Sequence, residues 1–111
     1  MSERIRKVNS LIFHEISTLI NKDVDFKNGV FITISRVDTT PDLRYTQIFV
    51  KVFPNKENHY AMKTLEHERN SLQKILHKKL HLKILPKISF HEDLTGETFD
   101  ALERILFEED Q

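Results

Sequence analysis

VFITISRVDTTPDLRYTQIFVKVFP, residues 30–54, decides the fold. Residues 30–38 are rich in β-branched side chains and alternate apolar with polar, the period-two pattern of a strand with one buried face. Residues 45–53 repeat it. Ile48, Val50 and Val52 fall on one face; Tyr45, Gln47, Phe49, Lys51 and Phe53 fall on the other. Between the two runs, Pro41 and Asp42 mark a turn longer than a two-residue hairpin loop. Pro54 ends the second strand, because it has no N–H to donate to a ladder. Two strands, with Ile48, Val50 and Val52 facing a core, require covering elements on that side.

Both flanks supply them. Upstream, Ile5, Val8, Ile12, Ile16, Leu19 and Ile20 recur at intervals of three and four, one stripe of a helix over residues 2–21 with Ser2 as its N-cap. Arg4, Lys7, Ser10 and His14 lie largely off that stripe. Downstream, residues 57–69 read as a helix with Ala61 and Leu65 inward. At Asn70 a new helix is predicted, with Leu72, Ile75, Leu76 and Leu80 as its apolar face. Asn70 and Gln73 have capping-box spacing, and Asn tolerates left-handed backbone angles. The reading is therefore an interrupted or kinked helix at Asn70. Pro86 ends the helical pattern, and a short strand follows with Ile88 and Phe90 inward. Phe99, Leu102, Ile105 and Leu106 then make a short amphipathic C-terminal helix, with Thr95 a candidate cap. The fold class is α+β: one sheet with helices on one face.

A chain of 111 residues is one domain. At this size about two-thirds of the unfolded surface can be buried. Folding therefore needs neither a metal nor a disulfide, and there is no cysteine. No apolar run approaches the roughly 18 residues of a membrane span. In the basic-then-apolar N-terminus the apolar residues fall at helical intervals with Asn9, Ser10, His14 and Glu15 among them, so a helix rather than a signal peptide is expected there. A soluble, cytoplasmic protein without membrane contact is expected.

Catalytic constellations are missing. His77 and His81 stand at metal-ligand spacing, but Lys78 and Lys79 sit between them and repel a divalent cation. Gly29 and Gly96 are the only glycines, so no Gly-rich phosphate loop exists. No serine lies in a nucleophile elbow. No catalytic residue, metal ligand, cofactor or small-molecule substrate is expected.

The charge is balanced in total, 17 Lys and Arg against 17 Asp and Glu, yet unevenly placed. Residues 1–91 hold 16 bases and 9 acids, a net of +7; residues 92–111 hold eight acids and Arg104. Residues 70–91 contain no acid at all, but carry Lys74, Lys78, Lys79, Lys83, Lys87, His77, His81 and His91. Lys74, Lys78 and His81 are helical neighbours away from the apolar stripe. Side by side, like charges cost a little stability, a cost that a phosphate-rich partner turns into binding. The same residues also suit a solvated face whose lysine stems cover apolar surface, or a body neutralised by its own acidic tail.

Four stretches carry a resemblance. Residues 39–53, TTPDLRYTQIFVKVF, resemble the S-P-D-L-R-Y motif and following strand of ribosome-binding factor A, the bacterial small-subunit assembly factor. RIRKVNSLIFHEIS, residues 4–17, resembles that family's first helix. LHLKILPKISF, residues 80–90, resembles its basic helix end, proline and strand; FHEDLTGE, residues 90–97, resembles its F-x-x-D-x-S-x-E. Glu68-Arg69-Asn70 stands where the family has a kinked Ala-x-Gly, and Gln73 where Arg is frequent.

The resemblance implies a type II KH-like sandwich over residues 1–94, followed by an acidic C-terminal helix or tail over 95–111. It implies a non-catalytic, monomeric factor that binds the immature small (30S) ribosomal subunit and its 16S rRNA. The expected RNA-binding residues are Arg4, Lys7, Arg44, Arg69, Asn70, Lys74, Lys78, Lys79, His81, Lys83 and Lys87. Arg44 has an equal claim to pairing with Asp42 or capping the turn. A protein-interaction module, using the acidic tail or the basic face, is the alternative.

Overall fold

The computed structural model describes residues 2–95. Helix α1 spans Glu3–Asp23, capped by Ser2, whose hydroxyl accepts from the Ile5 N–H at 3.2 Å. Strands β1 (Phe31–Thr39) and β2 (Tyr45–Phe53) pair antiparallel, from Phe31 opposite Phe53 to Thr39 opposite Thr46. Helix α2 spans Asn58–Leu80, and β3 (Lys87–Glu92) pairs parallel with the other side of β2. The sheet order is β1-β2-β3. The expected C-terminal helix lies outside the described residues.

One face of the sheet is buried. Ile34 and Val37 of β1, Ile48, Val50 and Val52 of β2, and Ile88 and Phe90 of β3 pack against Val8, Ile12, Ile16 and Leu19 of α1 and Leu65, Leu72 and Leu76 of α2. The α1 helix lies over β1 and α2 over β3. This is the α+β arrangement expected, helices on one face of a three-stranded sheet, and it is consistent with the type II KH-like sandwich. Two buried threonines on that face are satisfied. Thr39 Oγ1 lies 2.8 Å from Thr46 Oγ1 and donates to Asn9 Oδ1 at 2.5 Å, tying α1 to both strands of the hairpin.

The hairpin turn is closed by the Leu43 N–H donating to the Thr40 carbonyl at 2.9 Å, with Pro41 between them, where its fixed φ suits a turn. Leu43 itself adopts φ 60°, a left-handed conformation unusual for a side chain of this size. Packing of the half-buried Leu43 against the core offsets that cost.

The predicted interruption at Asn70 is not there. Residues Asn58–Leu80 form one unbroken helix, and the left-handed residue is His81, at its C-cap with φ 50°. The reason lies in phase. Buried Ala61, Leu65, Leu72 and Leu76 are separated by four, seven and four residues, so they keep one stripe through the supposed break. Asn70 projects from the opposite, exposed side, where an Asn costs a helix only about 0.7 kcal/mol relative to Ala. That is too little to break a helix whose other face is buried.

Gln73 caps nothing. Its side-chain Nε2 donates to the Pro86 carbonyl at 3.0 Å, and its Oε1 accepts from the Ile88 N–H at 2.8 Å. β3 is an edge strand, and these are successive backbone groups of its outer edge. The glutamine amide pairs them as a further strand would.

A candidate nucleic-acid interface

The topology places the ends of several elements together. β3 runs parallel to β2, so the loop leaving α2 returns to the end of the sheet where β2 starts. There the Lys87 N–H donates to the Arg44 carbonyl at 2.8 Å. The first turn of α1 reaches the same place. Arg4, Val8, Pro41, Leu43, Lys83 and Ile84 line one shallow cavity of about 370 Å³. Arg4, Arg44, Lys83 and Lys87 thus gather at one end of the molecule, and all four are exposed. The last turn of α2 ends there too, with Lys78, Lys79 and the C-cap His81 exposed. Cations near a helix C-terminus also complement its dipole.

From this end a ridge runs back along the outer side of α2. His81, Lys78, Lys74 and Asn70 recur at intervals of three and four. Because the helix is continuous, the same ridge goes on to His67 and Lys63, both exposed. The sequence reading missed these two by starting a new helix at Asn70; the spacing that would have found them was already present. Lys79 is three residues beyond Leu76, on the core side of α2, and is exposed only because the helix ends there. Lys7 lies almost one turn beyond Arg4 on α1, also exposed.

Arg69 behaves differently. It is half-buried and its Nε donates to Glu66 Oε1 at 3.0 Å, a local ion pair on the helix surface. At the turn, the Asp42 carboxylate accepts from the Thr40 hydroxyl at 2.6 Å and from the Arg44 N–H at 3.1 Å. The Thr40 hydrogen bond, the Arg44 N–H and then the Arg44 guanidinium hold the Asp42 carboxyl below its ordinary pKa. The guanidinium itself is 3.9 Å from Asp42 and three-quarters exposed at 75%. Capping the turn is therefore the principal role of Asp42, and the charge of Arg44 stays available. Among the described residues, Lys74, Lys78, Lys79, Lys83 and Lys87 have no carboxylate within ion-pair distance. No group of His, Asp or Glu capable of holding a metal occurs among the described residues. No described helix is long and apolar enough to cross a membrane.

Fold and charge together define a small α+β domain of KH-like build with one cationic end. Comparison with known proteins narrows this. The sequence profile described as Ribosome-binding factor A matches residues 4–106, and the chain belongs to that family. Ribosome-binding factor A of Chlorobium phaeobacteroides is 31% identical over 111 residues, covering 97% of this chain and 95% of the relative. That of Macrococcus caseolyticus is 28% identical over 109 residues, covering 97% and 96%. The crystal structure of ribosome-binding factor A from Thermus thermophilus shares the fold, with a TM-score of 0.68 at 17% identity over 79% of this chain and 94% of that one. A homology model of the Thermus thermophilus protein, fitted into the cryo-EM map of its 30S complex, superposes with a TM-score of 0.58 at 16% identity, covering 75% and 92%.

Proposed function

We propose that this chain binds the immature small ribosomal subunit through 16S rRNA and assists its maturation as a monomeric, non-catalytic, cytoplasmic factor. The observation that carries the reading is the convergence of Arg4, Arg44, Lys83 and Lys87 with the last turn of α2 at one end, with the ridge through Lys74 and Lys78 leading from it. Ammonium and guanidinium groups so placed suit a phosphate backbone, because neutralising phosphates releases condensed counterions. Such contacts position a protein without reading base sequence. Recognition then depends on the shape of folded RNA, whose helices present phosphates and 2′-hydroxyls to a protein surface. Family membership and the 30S complex of the Thermus relative support the same partner. Within the expected set, Lys74, Lys78, Lys83, Lys87, Arg4 and Arg44 are assigned direct phosphate contacts. Arg69 is assigned to its ion pair with Glu66.

The test is co-sedimentation with immature small subunits, mature small subunits and large subunits at several salt concentrations. The chain is expected to pellet with small subunits, preferring immature ones. Changing Lys74, Lys78, Lys79 and Lys83 together to Gln keeps helix propensity and most of each stem, so melting should change little. Binding should weaken strongly, and each phosphate no longer neutralised should flatten the log–log salt slope by about 0.7–0.9. Unchanged affinity and slope in this variant would place the RNA-binding surface elsewhere. Binding to large subunits with equal affinity would sink the small-subunit reading.

A further inference from the structure

Asp42 changes what the cavity at the cationic end can hold. Arg4 and Lys83 line it, both exposed, and Arg44 stands at the same end. Cations alone would suit a phosphate inside the cavity. The Asp42 carboxylate also lines it, however, and repels one. The rest of the lining is apolar. Val8 and Pro86 are buried and Leu43 is half-buried, so they make the floor; Pro41 and Ile84 border it and are exposed. At about 370 Å³ the cavity is near the lower end of the range for ligand pockets.

Two side chains here do something that folding does not require. Ile84 is 73% exposed, the most exposed large apolar side chain among the described residues. Its neighbour Leu85 packs against the core and Ile84 does not. A single exposed apolar residue is ordinary, but this one borders a cavity whose floor is already apolar, so a group seated there would bury it. Asp42 is held in place by the turn. The Thr40 hydroxyl and the Arg44 N–H both donate to its Oδ1, at 2.6 and 3.1 Å. The Arg44 guanidinium stands 3.9 Å from Oδ2, outside hydrogen-bond distance. Oδ2 therefore keeps a lone pair for a further donor.

An apolar floor, one fixed acceptor and cations beside them define the group that fits. It is flat and apolar on its faces, has an N–H at its edge, and carries phosphates at its periphery. A nucleotide whose base is unstacked has all three properties.

We propose that this cavity receives one unpaired base of a single-stranded RNA segment. The base lies against Val8, Leu43 and Ile84, an N–H of its edge donates to Asp42 Oδ2, and Arg4 and Lys83 hold the phosphates on either side of it. This assignment rests on the RNA-binding role proposed above and makes it more specific. The α2 ridge remains a phosphate surface, whereas this end selects single strands, because a paired base has its edge engaged and unstacking costs least in a strand that is already single.

The test uses the full chain with isotope-labelled methyl groups and four probes: a short single-stranded RNA of mixed sequence, an abasic oligomer with the same number of phosphates, an RNA duplex and a free nucleoside monophosphate. Nuclear Overhauser contacts between base protons of the single strand and the methyls of Leu43 and Ile84 are expected. Amide shifts at Arg44 and Lys83 are expected with the abasic oligomer too. Shifts at those amides without base-to-methyl contacts would overturn the base pocket and leave the phosphate reading standing. Failure of the chain to pellet with small subunits would instead remove the RNA-binding role, and this assignment with it. Equal contacts from the duplex would overturn the selection of single strands. Contacts from the free nucleotide at the same concentration as the strand would overturn the proposal in favour of a nucleotide site.

Two variants give an independent readout, the ratio of affinities for the base-bearing and abasic oligomers. Ile84→Ser should lower that ratio roughly threefold to tenfold, the effect of one exposed apolar side chain that becomes partly buried. Its melting should change little, since Ile84 is exposed. Asp42→Asn keeps an acceptor for Thr40 and Arg44 and replaces the Oδ2 acceptor by a donor. If only phosphates bound here, removing the acid would tighten both oligomers alike. With a base in the cavity the ratio should fall, again by roughly threefold to tenfold for one lost hydrogen bond. An unchanged ratio in either variant would overturn the proposal.

Discussion

Gln73 is the residue whose replacement tests the fold most sharply. Its amide joins α2 to the outer edge of β3 through two hydrogen bonds, at 3.0 Å to the Pro86 carbonyl and 2.8 Å from the Ile88 N–H. Gln73→Ala removes both. At about 0.5–1.5 kcal/mol net for each, the loss is about 1–3 kcal/mol, slightly masked by the better helix propensity of Ala. For a domain of this size, each kcal/mol lowers the melting temperature by about 4–8 °C. Gln73→Glu separates the two bonds. The carboxylate still accepts from the Ile88 N–H but cannot donate to the Pro86 carbonyl and repels it. Its deficit should narrow in acid, where protonation restores a donor. Thermal and denaturant melts give the energies, and hydrogen exchange at the Ile88 amide reports the edge directly. If Gln73→Ala stays within about 0.5 kcal/mol of the parent, below the range expected for two broken bonds, and Ile88 exchange is unchanged, the glutamine does not hold this edge and the reasoning fails.

Two further outcomes follow from the helix and the turn. Asn70 sits in a regular, exposed helical position, so Asn70→Ala should stabilise the protein by about 0.5 kcal/mol and Asn70→Gly should destabilise it by a few tenths. A left-handed interruption would reverse that order, and denaturant melts of both variants decide. The Asp42 carboxyl has a lowered pKa, caused first by the Thr40 hydroxyl and next by the Arg44 N–H. Its ionised form therefore contributes stability that is complete above the ordinary carboxylate pKa of about 4, and is lost as pH falls through the lowered value. The stability gap between the parent and Asp42→Ala should accordingly close at the acid end of a pH series; a gap that widens in acid would refute this account of the turn.

Local chemistry made much of the architecture legible in the sequence. β-branched alternation placed β2 at its observed limits and chose its buried face, because a period of two leaves only one way for Ile48, Val50 and Val52 to share a core. Ser2 was readable as a cap, since a serine before an apolar helical stripe answers an unpaired N–H. The cationic residues were readable as a charge excess along the chain, but not as a surface. What joins Arg4, Arg44, Lys83 and Lys87 is the parallel return of β3 beside β2, and strand direction is a property of the connection rather than of any residue in it. The break expected at Asn70 failed for a similar reason. Capping preferences are worth about 1 kcal/mol or less, whereas burying one continuous stripe from Ala61 to Leu76 is worth several times that, so packing overrode the local signal. The tertiary structure alone also decided the role of Gln73. Its partners, Pro86 and Ile88, lie 13 and 15 residues away, and only the docking of an edge strand beneath α2 brings their unpaired backbone groups within reach of one side-chain amide.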